Sequence, residues 1–352
     1  MAVRTMKAAA TIWLVHLLTI AAPAWPQFQD VASDGSNGIL DFQTPGAVVF
    51  DPARFPTKGG GLRTNNIFRF SGIRIGKGVT VTLSSKSIYG PVFWLSQGPV
   101  EIDGTVFLSG ESGSRLPALA GAGGFPGAAV GEEAFRLDGY QPNRFLVPLV
   151  GGFGGKGGET NSGGAGGGAL LISSSTSISI NGAIIAKGGD SVDGIGGGGG
   201  SIRLVAPVID GHGVLNAKGG QPGGTDGRIR LEATRRNYSG DLSGTPASYG
   251  KPHGLFLPPN PSASVQIVSI DGVPPSTHEF ETRTPKRVAL VIEARFILPG
   301  TSIELEVFAE NGSKEIITST PLEGTLQLSR ATARVTLPGG PARVLVKADW
   351  SR

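Results

Sequence analysis

The residues that invite chemistry lie late in the first two-thirds of the chain. His212 stands between Gly211 and Gly213, two residues after Asp210. Asp226 follows, and then the run Arg228-Ile229-Arg230. A histidine with two carboxylates and a basic pair is the equipment of glycosidic bond cleavage, which ordinarily needs two positioned carboxyl groups. Asp210, His212 and Asp226 are therefore the catalytic candidates. A second set suits binding rather than turnover. Lys187, Arg203, Lys218 and Arg230 recur at matching places in a repeat, and Trp94 offers an aromatic face.

These residues belong to repeating elements. Residues 100–110 (VEIDGTVFLSG), 178–188 (ISINGAIIAKG) and 209–219 (IDGHGVLNAKG) align without gaps on Gly104, Gly182 and Gly213. A weaker copy carries Ile73, Ile75, Gly78, Val79 and Val81. Before the motif comes another strand: PVFWLS (91–96), GALLIS (168–173), GSIRLV (200–205) and GRIRLE (227–232). Short alternating runs of this kind predict strands with one buried face. A repeat of 20–30 residues cannot bury a core alone, but stacked copies can. Stacking predicts interior columns Val100/Ile178/Ile209 and Val106/Ile184/Leu215, an all-β parallel β-helix, or solenoid.

The alignment weighs against a catalytic His212. It shares its position with Asp103 and Asn181, directly before the common glycine. Asp, Asn and His tolerate positive φ better than most residues, so a turn accounts for all three. The same alignment matches Phe93 and Leu95 to Ile202 and Leu204, which points Trp94, Arg203 and Arg230 outward. Like charges on neighbouring strands repel, so Arg203 and Arg230 need an anion. Screening by water and salt, with Glu232 as a partner, is the plain explanation, and an acidic glycan along a basic ladder is the bolder alternative. Lys187 and Lys218 form a similar pair. The glycine runs lack the context of a phosphate loop. Asp190 and Asp193 alone are too few for calcium. With no cysteine and three scattered histidines after residue 24 (His212, His253, His278), no metal or other cofactor is expected.

Composition bounds the rest. Glycine supplies 57 of 352 residues, about twice ordinary usage. The formal charge of +4 includes Arg4 and Lys7 and drops to about +2 without them, which argues against nucleic acid as a partner. Arg4 and Lys7, the apolar run 8–22 and Ala22-Pro23-Ala24 predict a signal peptide over 1–24, with export and no transmembrane segment afterwards. A cap is expected over 25–65, the β-helix over 66–233 with an inserted Gly-rich loop at 111–167, and a closing segment and linker over 234–262. Seven short β-runs within 263–352 predict an Ig-like β-sandwich.

The stretches GVTVTLSS, GPVFWLSQGPVEIDGTVFLSG and GSIRLVAPVIDGHGVLNAKGG resemble exported bacterial glycine-rich, right-handed β-helix proteins of the pectin-lyase-like group. The G-H-G and R-I-R elements are similar to the G-H-G and R-I-K signatures of polygalacturonases, but the N-T-D and D-D elements of those enzymes have no counterpart here. The resemblance implies a location more than a reaction, and with the basic ladder it gives a secreted or cell-surface structural and interaction protein, with acidic polysaccharide or extracellular matrix as partner. The alternative it leaves open is a polysaccharide lyase or glycoside hydrolase on the same scaffold. A scaffold that acts only as a spacer is the third possibility.

Overall fold

A computed structural model describes residues 33–56, 65–135, 143–258, 263–274 and 284–348. The signal peptide expected over 1–24 lies outside them, as do parts of the expected cap and linker. The chain is all-β and divides into two compact units, 33–258 and 263–348 among the described residues.

The first unit is built from three ladders of parallel strands. The first ladder contains β3 (Ile67–Phe70), β6 (Val92–Ser96), β9 (Ala169–Ser174), the start of β12 (Ser201–Asp210), the start of β14 (Arg228–Arg236) and β16 (Ser248–Gly250). The second contains β1 (Ile39–Phe42), β4 (Gly72–Ile75), β7 (Val100–Ile102), β10 (Ser177–Ile180) and the end of β12. The third runs through β2 (Gly46–Val49), β5 (Val79–Thr82), β8 (Thr105–Phe107), β11 (Ala183–Ile185), β13 (Val214–Asn216) and β15 (Asp241–Ser243). Each pass of the chain adds one strand to the second, third and first ladder in turn. The expected columns are present: Ile178 pairs with Val100 and Ile209, and Ile184 with Val106 and Leu215. All six side chains are buried in one core shared by the three ladders. Full burial of one such aliphatic side chain stabilises by roughly 1.5–3 kcal/mol.

One pairing departs from the repeat alignment by a single residue. Trp94 pairs with Ile172, which pairs with Leu204; Phe93 pairs with Leu171, which pairs with Arg203. A one-residue slip exchanges the two faces of a strand. Trp94 therefore points inward, fully buried, with its ring centroid 5.4 Å from Phe50 and 6.4 Å from Phe70. Phe93 and Leu95 point outward. The physical reason is that VFWL is apolar at every position, so alternation does not choose a face. Both faces of this ladder are covered, as is usual for parallel sheets.

Residues 33–56, expected only to cap the repeat, also extend it. β1 pairs with β4 and β2 with β5, both parallel. The capping element is aromatic: Phe55 stacks on Phe50 at 5.2 Å, and Phe50 meets Phe68 edge-on at 4.9 Å. At the other end, β15 pairs with β13 and β16 with β14, so the expected closing segment holds one more pass.

The Gly-rich insertion expected as a loop at 111–167 is, over its described residues, a packed bundle. Its hydrogen bonds follow a period of three. Gly163 and Gly166 donate to Ala128 and Phe125; Gly164 and Gly167 donate to Ile195 and Gly198; Ala165 and Gly168 donate to Glu111 and Leu108. Residues 195–200 repeat the pattern toward Lys156/Phe153, Pro222/Thr225 and Gly189/Ala186. Three neighbours visited in rotation mark the extended helix of three residues per turn. Such strands approach closely only without side chains: a Cβ on Gly166 would overlap the Gly152 carbonyl oxygen. The glycines thus serve backbone contact rather than loop flexibility. They deliver the chain directly into β9, β12 and β14 at Gly168, Gly200 and Gly227.

The second unit has two antiparallel sheets. One contains β17 (Ser264–Ile270), β18 (Lys286–Arg295), β22 (Ser329–Leu337) and β21 (Glu323–Gly324) in that order. The other is β20 (Lys314–Pro321), β19 (Ser302–Ala309) and β23 (Ala342–Ala348). Leu290, Ile292, Leu305 and Val335 share one core between them. Residues 325–328 form a tight turn between β21 and β22, closed by bonds between Thr325 and Leu328. On β19 the buried Glu306 holds Lys314 at 2.9 Å and Lys347 at 2.5 Å. Burial pushes its carboxyl up, but the bonds from Lys347 and Lys314 outweigh this and hold it below the ordinary glutamate range. A lowered folded pKa gives stability that is complete above the ordinary range and lost as pH falls through the folded value. Glu306→Gln should flatten the acid limb of this stability profile, measured by urea midpoints from neutral pH down to pH 3.

Candidate ligand-binding faces

The three ladders present three different outer faces. On the first, the outward side chains Phe93, Leu95, Leu171 and Val205 pack against Leu146, Leu149 and Leu255. Arg203 and Arg230, expected on an open basic ladder, are buried on this same face at 3% and 5% exposure. They do pair across β12 and β14, as the repeat predicts. Their partner is Glu232, itself 1% exposed. Its Oε1 accepts from Arg203 Nε at 3.0 Å and from Arg230 Nε at 2.6 Å, and Arg203 Nη2 lies 2.9 Å away. Burial holds the Arg203 guanidinium below its ordinary range, against the pull of Glu232. The segment around residue 145 closes the site. Arg230 Nη1 donates to the Arg144 carbonyl at 3.3 Å, Ser248 Oγ donates to the same carbonyl at 2.7 Å, and the Phe145 ring lies 5.0 Å from the Arg230 guanidinium. The expected glycan contact is thus replaced by an internal ion cluster. Glu232 was legible as a partner; the covering residues, 80 or more positions from Arg230 in part, were not.

The outer face of the second ladder is charged. Asp41, Arg74, Glu101, Ser179 and Asp210 stand in one register, with Arg74 3.7 Å from Glu101. His212 follows at the bend into the third ladder and is exposed. Its repeat equivalents touch each other, Asn181 Nδ2 donating to Asp103 Oδ1 at 3.0 Å. None of the three has the positive φ expected of it; Gly211 does, at +110°. The shared glycine has another cause. A Cβ on Gly182 would overlap the Gly104 carbonyl oxygen, and one on Gly213 would overlap that of Gly182. Stacking of successive passes sets this position.

Asp226 does not join His212. It is exposed on the glycine bundle and its Oδ1 accepts from the Gly219 amide at 2.9 Å. Among the described residues, no hydrogen bond or ion pair links Asp210, His212 and Asp226, and no cluster of three metal-ligating side chains occurs. Lys187 and Lys218 do lie on adjacent passes, where the Gly188 amide donates to the Lys218 carbonyl. Lys187 is engaged with Asp190 at 3.1 Å, while the Lys218 side chain is exposed. The Asp190 carboxyl is held low by the Gln221 amide and, more weakly, by Lys187.

The third ladder has an open outer face that sequence reading passed over. Ala47, Thr80, Thr105, Ala183, Val214 and Asp241 form one outward column. Val49, Thr82, Phe107, Ile185, Asn216 and Ser243 form the other. None of these side chains is buried, and Val49 and Phe107 are 62% and 38% exposed. The signal was available in Thr80-Val81-Thr82, whose hydroxyls flank an inward valine. No protein-family model, curated protein or solved structure matches the chain. Among the described residues, no helix is long and apolar enough to cross a membrane.

Proposed function

We propose that the chain is a structural and interaction protein of the cell exterior. In this reading the first unit is a parallel β-helix rod, the second an Ig-like β-sandwich, and the rod holds a polysaccharide along an outer face. The observation that carries it is the set of three in-register parallel ladders around one continuous core, of which one outer face has no buried side chain among the described residues. The likeness of the repeat to exported glycine-rich β-helix proteins supports the location. The placing of Asp226 on the glycine bundle, away from the strand end that carries Asp210 and His212, favours holding over cleavage, since glycosidic hydrolysis asks for two carboxyl groups set across the bond.

The test pairs binding with turnover. The purified full chain is incubated with insoluble and soluble polysaccharides, followed by sedimentation, reducing-sugar and unsaturated-uronate assays. The expected result is retention on at least one polymer without release of new ends. Turnover of any polymer that survives dialysis and is abolished by His212→Asn would overturn this reading in favour of an enzyme.

A further inference from the structure

We infer that the polymer is an uncharged glycan, and that it lies across the third ladder. This rests on the polysaccharide reading above and gives it a substrate class and a site. The outer face of that ladder spans six strands. At about 4.8 Å per strand and two outward residues per strand, it is a strip roughly 25 Å long and 10 Å wide. Its area is on the order of 250 Å², well below the roughly 800 Å² per partner of a stable protein interface. A second copy of the chain is therefore not the occupant. One extended polymer laid across the strands fits the dimensions.

Charge selects the polymer. Asp241, in the last strand, is the ionisable residue of the strip among the described residues; the other outward positions are aliphatic, aromatic, hydroxyl or amide. An acidic glycan, a nucleic acid or an anionic membrane surface would require a row of cations, whereas the margin of the strip offers Lys187, already held by Asp190, and Lys218. A neutral sugar chain has the complementary make-up. Its rings present C–H faces, matched by Val49, Phe107 and Ile185. Its hydroxyls find Thr80, Thr105 and Asn216, each able to donate and accept. The covered first face and the charged second face lack this combination. The sheet backbone fixes the array before binding, so little ordering is lost when a ligand docks.

The experiment is affinity electrophoresis of the full chain through gels containing neutral polymers (xyloglucan, glucomannan, laminarin) or acidic ones (polygalacturonate, alginate). At least one neutral polymer should retard the protein, with acidic polymers much weaker. Phe107→Ala should weaken that retardation about tenfold, and Ile185→Glu should abolish it. Glu101→Gln, on the second ladder, should leave it unchanged. Thermal melts of each variant establish that the fold survives. Retardation unaffected by Phe107→Ala and Ile185→Glu would overturn the site. Retardation by acidic polymers alone would overturn the neutral class while sparing the polysaccharide reading. No retardation by any polymer would overturn both.

Discussion

Replacing Glu232 by Gln should destabilise the first unit more than any surface change, by about 3–5 kcal/mol. Glu232 is the shared partner of Arg203 and Arg230, and all three are at least nine-tenths buried. Removing its charge leaves two guanidinium groups in a region from which water is excluded. The pair of cations then repel across neighbouring strands with only a neutral amide between them. The segment carrying Arg144 and Phe145, which closes over Arg230, would have to lift to admit water. Urea unfolding, followed by circular dichroism, measures the loss as a fall in midpoint. A control separates ion pairing from packing. Arg203→Met, Arg230→Met and Glu232→Leu together should cost far less than Glu232→Gln alone, since an apolar replacement removes the desolvated charges along with their attraction. A triple variant as unstable as the single one would show that packing around Phe145, not charge, governs this site.

Gly166→Ala should be comparably damaging, at or above the upper end of the roughly 1–3 kcal/mol typical of overpacking. The added methyl meets the Gly152 carbonyl, which is backbone and has no rotamer to yield. Gly152 is itself bonded to Gly167 and Phe125, so a shift there is passed to two further segments. Gly72→Ala is the comparison. Its Cβ would sit 3.7 Å from Ile39 carbon atoms, an ordinary contact, and its cost should stay below about 1 kcal/mol. Equal melting temperatures for Gly166→Ala and the unmodified chain would show that the bundle is loosely packed.

Much of the first unit was legible because β-branched residues return at fixed distances from a glycine. Ile178 and Ile184 could be placed against Val100, Val106, Ile209 and Leu215 from spacing alone. The limits were equally physical. In PVFWLS an apolar residue stands at every position, so nothing in the pattern says whether Trp94 or Phe93 faces the core. The neighbouring IRL motif, with its alternating charge, misled the alignment by one residue. Arg203 and Arg230 were correctly paired with each other and with Glu232. Their burial was not visible, because the residues that cover them come from 144–149 and 248–255, distant segments without a repeat. The glycine runs read as a loop since composition alone does not reveal a period when every member is the same residue. The period became visible only in the partners, as with Gly164 and Gly167 against Ile195 and Gly198.

That rotation of partners sets a rule for how the bundle can change over generations. With three residues to a turn, each residue's amide points about 120° from the one before it. Deleting a single glycine from 163–168 would turn every later donor toward the wrong neighbour, and Gly168 would enter β9 out of phase. Deleting or inserting three would restore each donor to its own neighbour, one turn along. Lengths in this region are therefore free to drift in steps of three and held against steps of one or two, much as a reading frame is held in a gene.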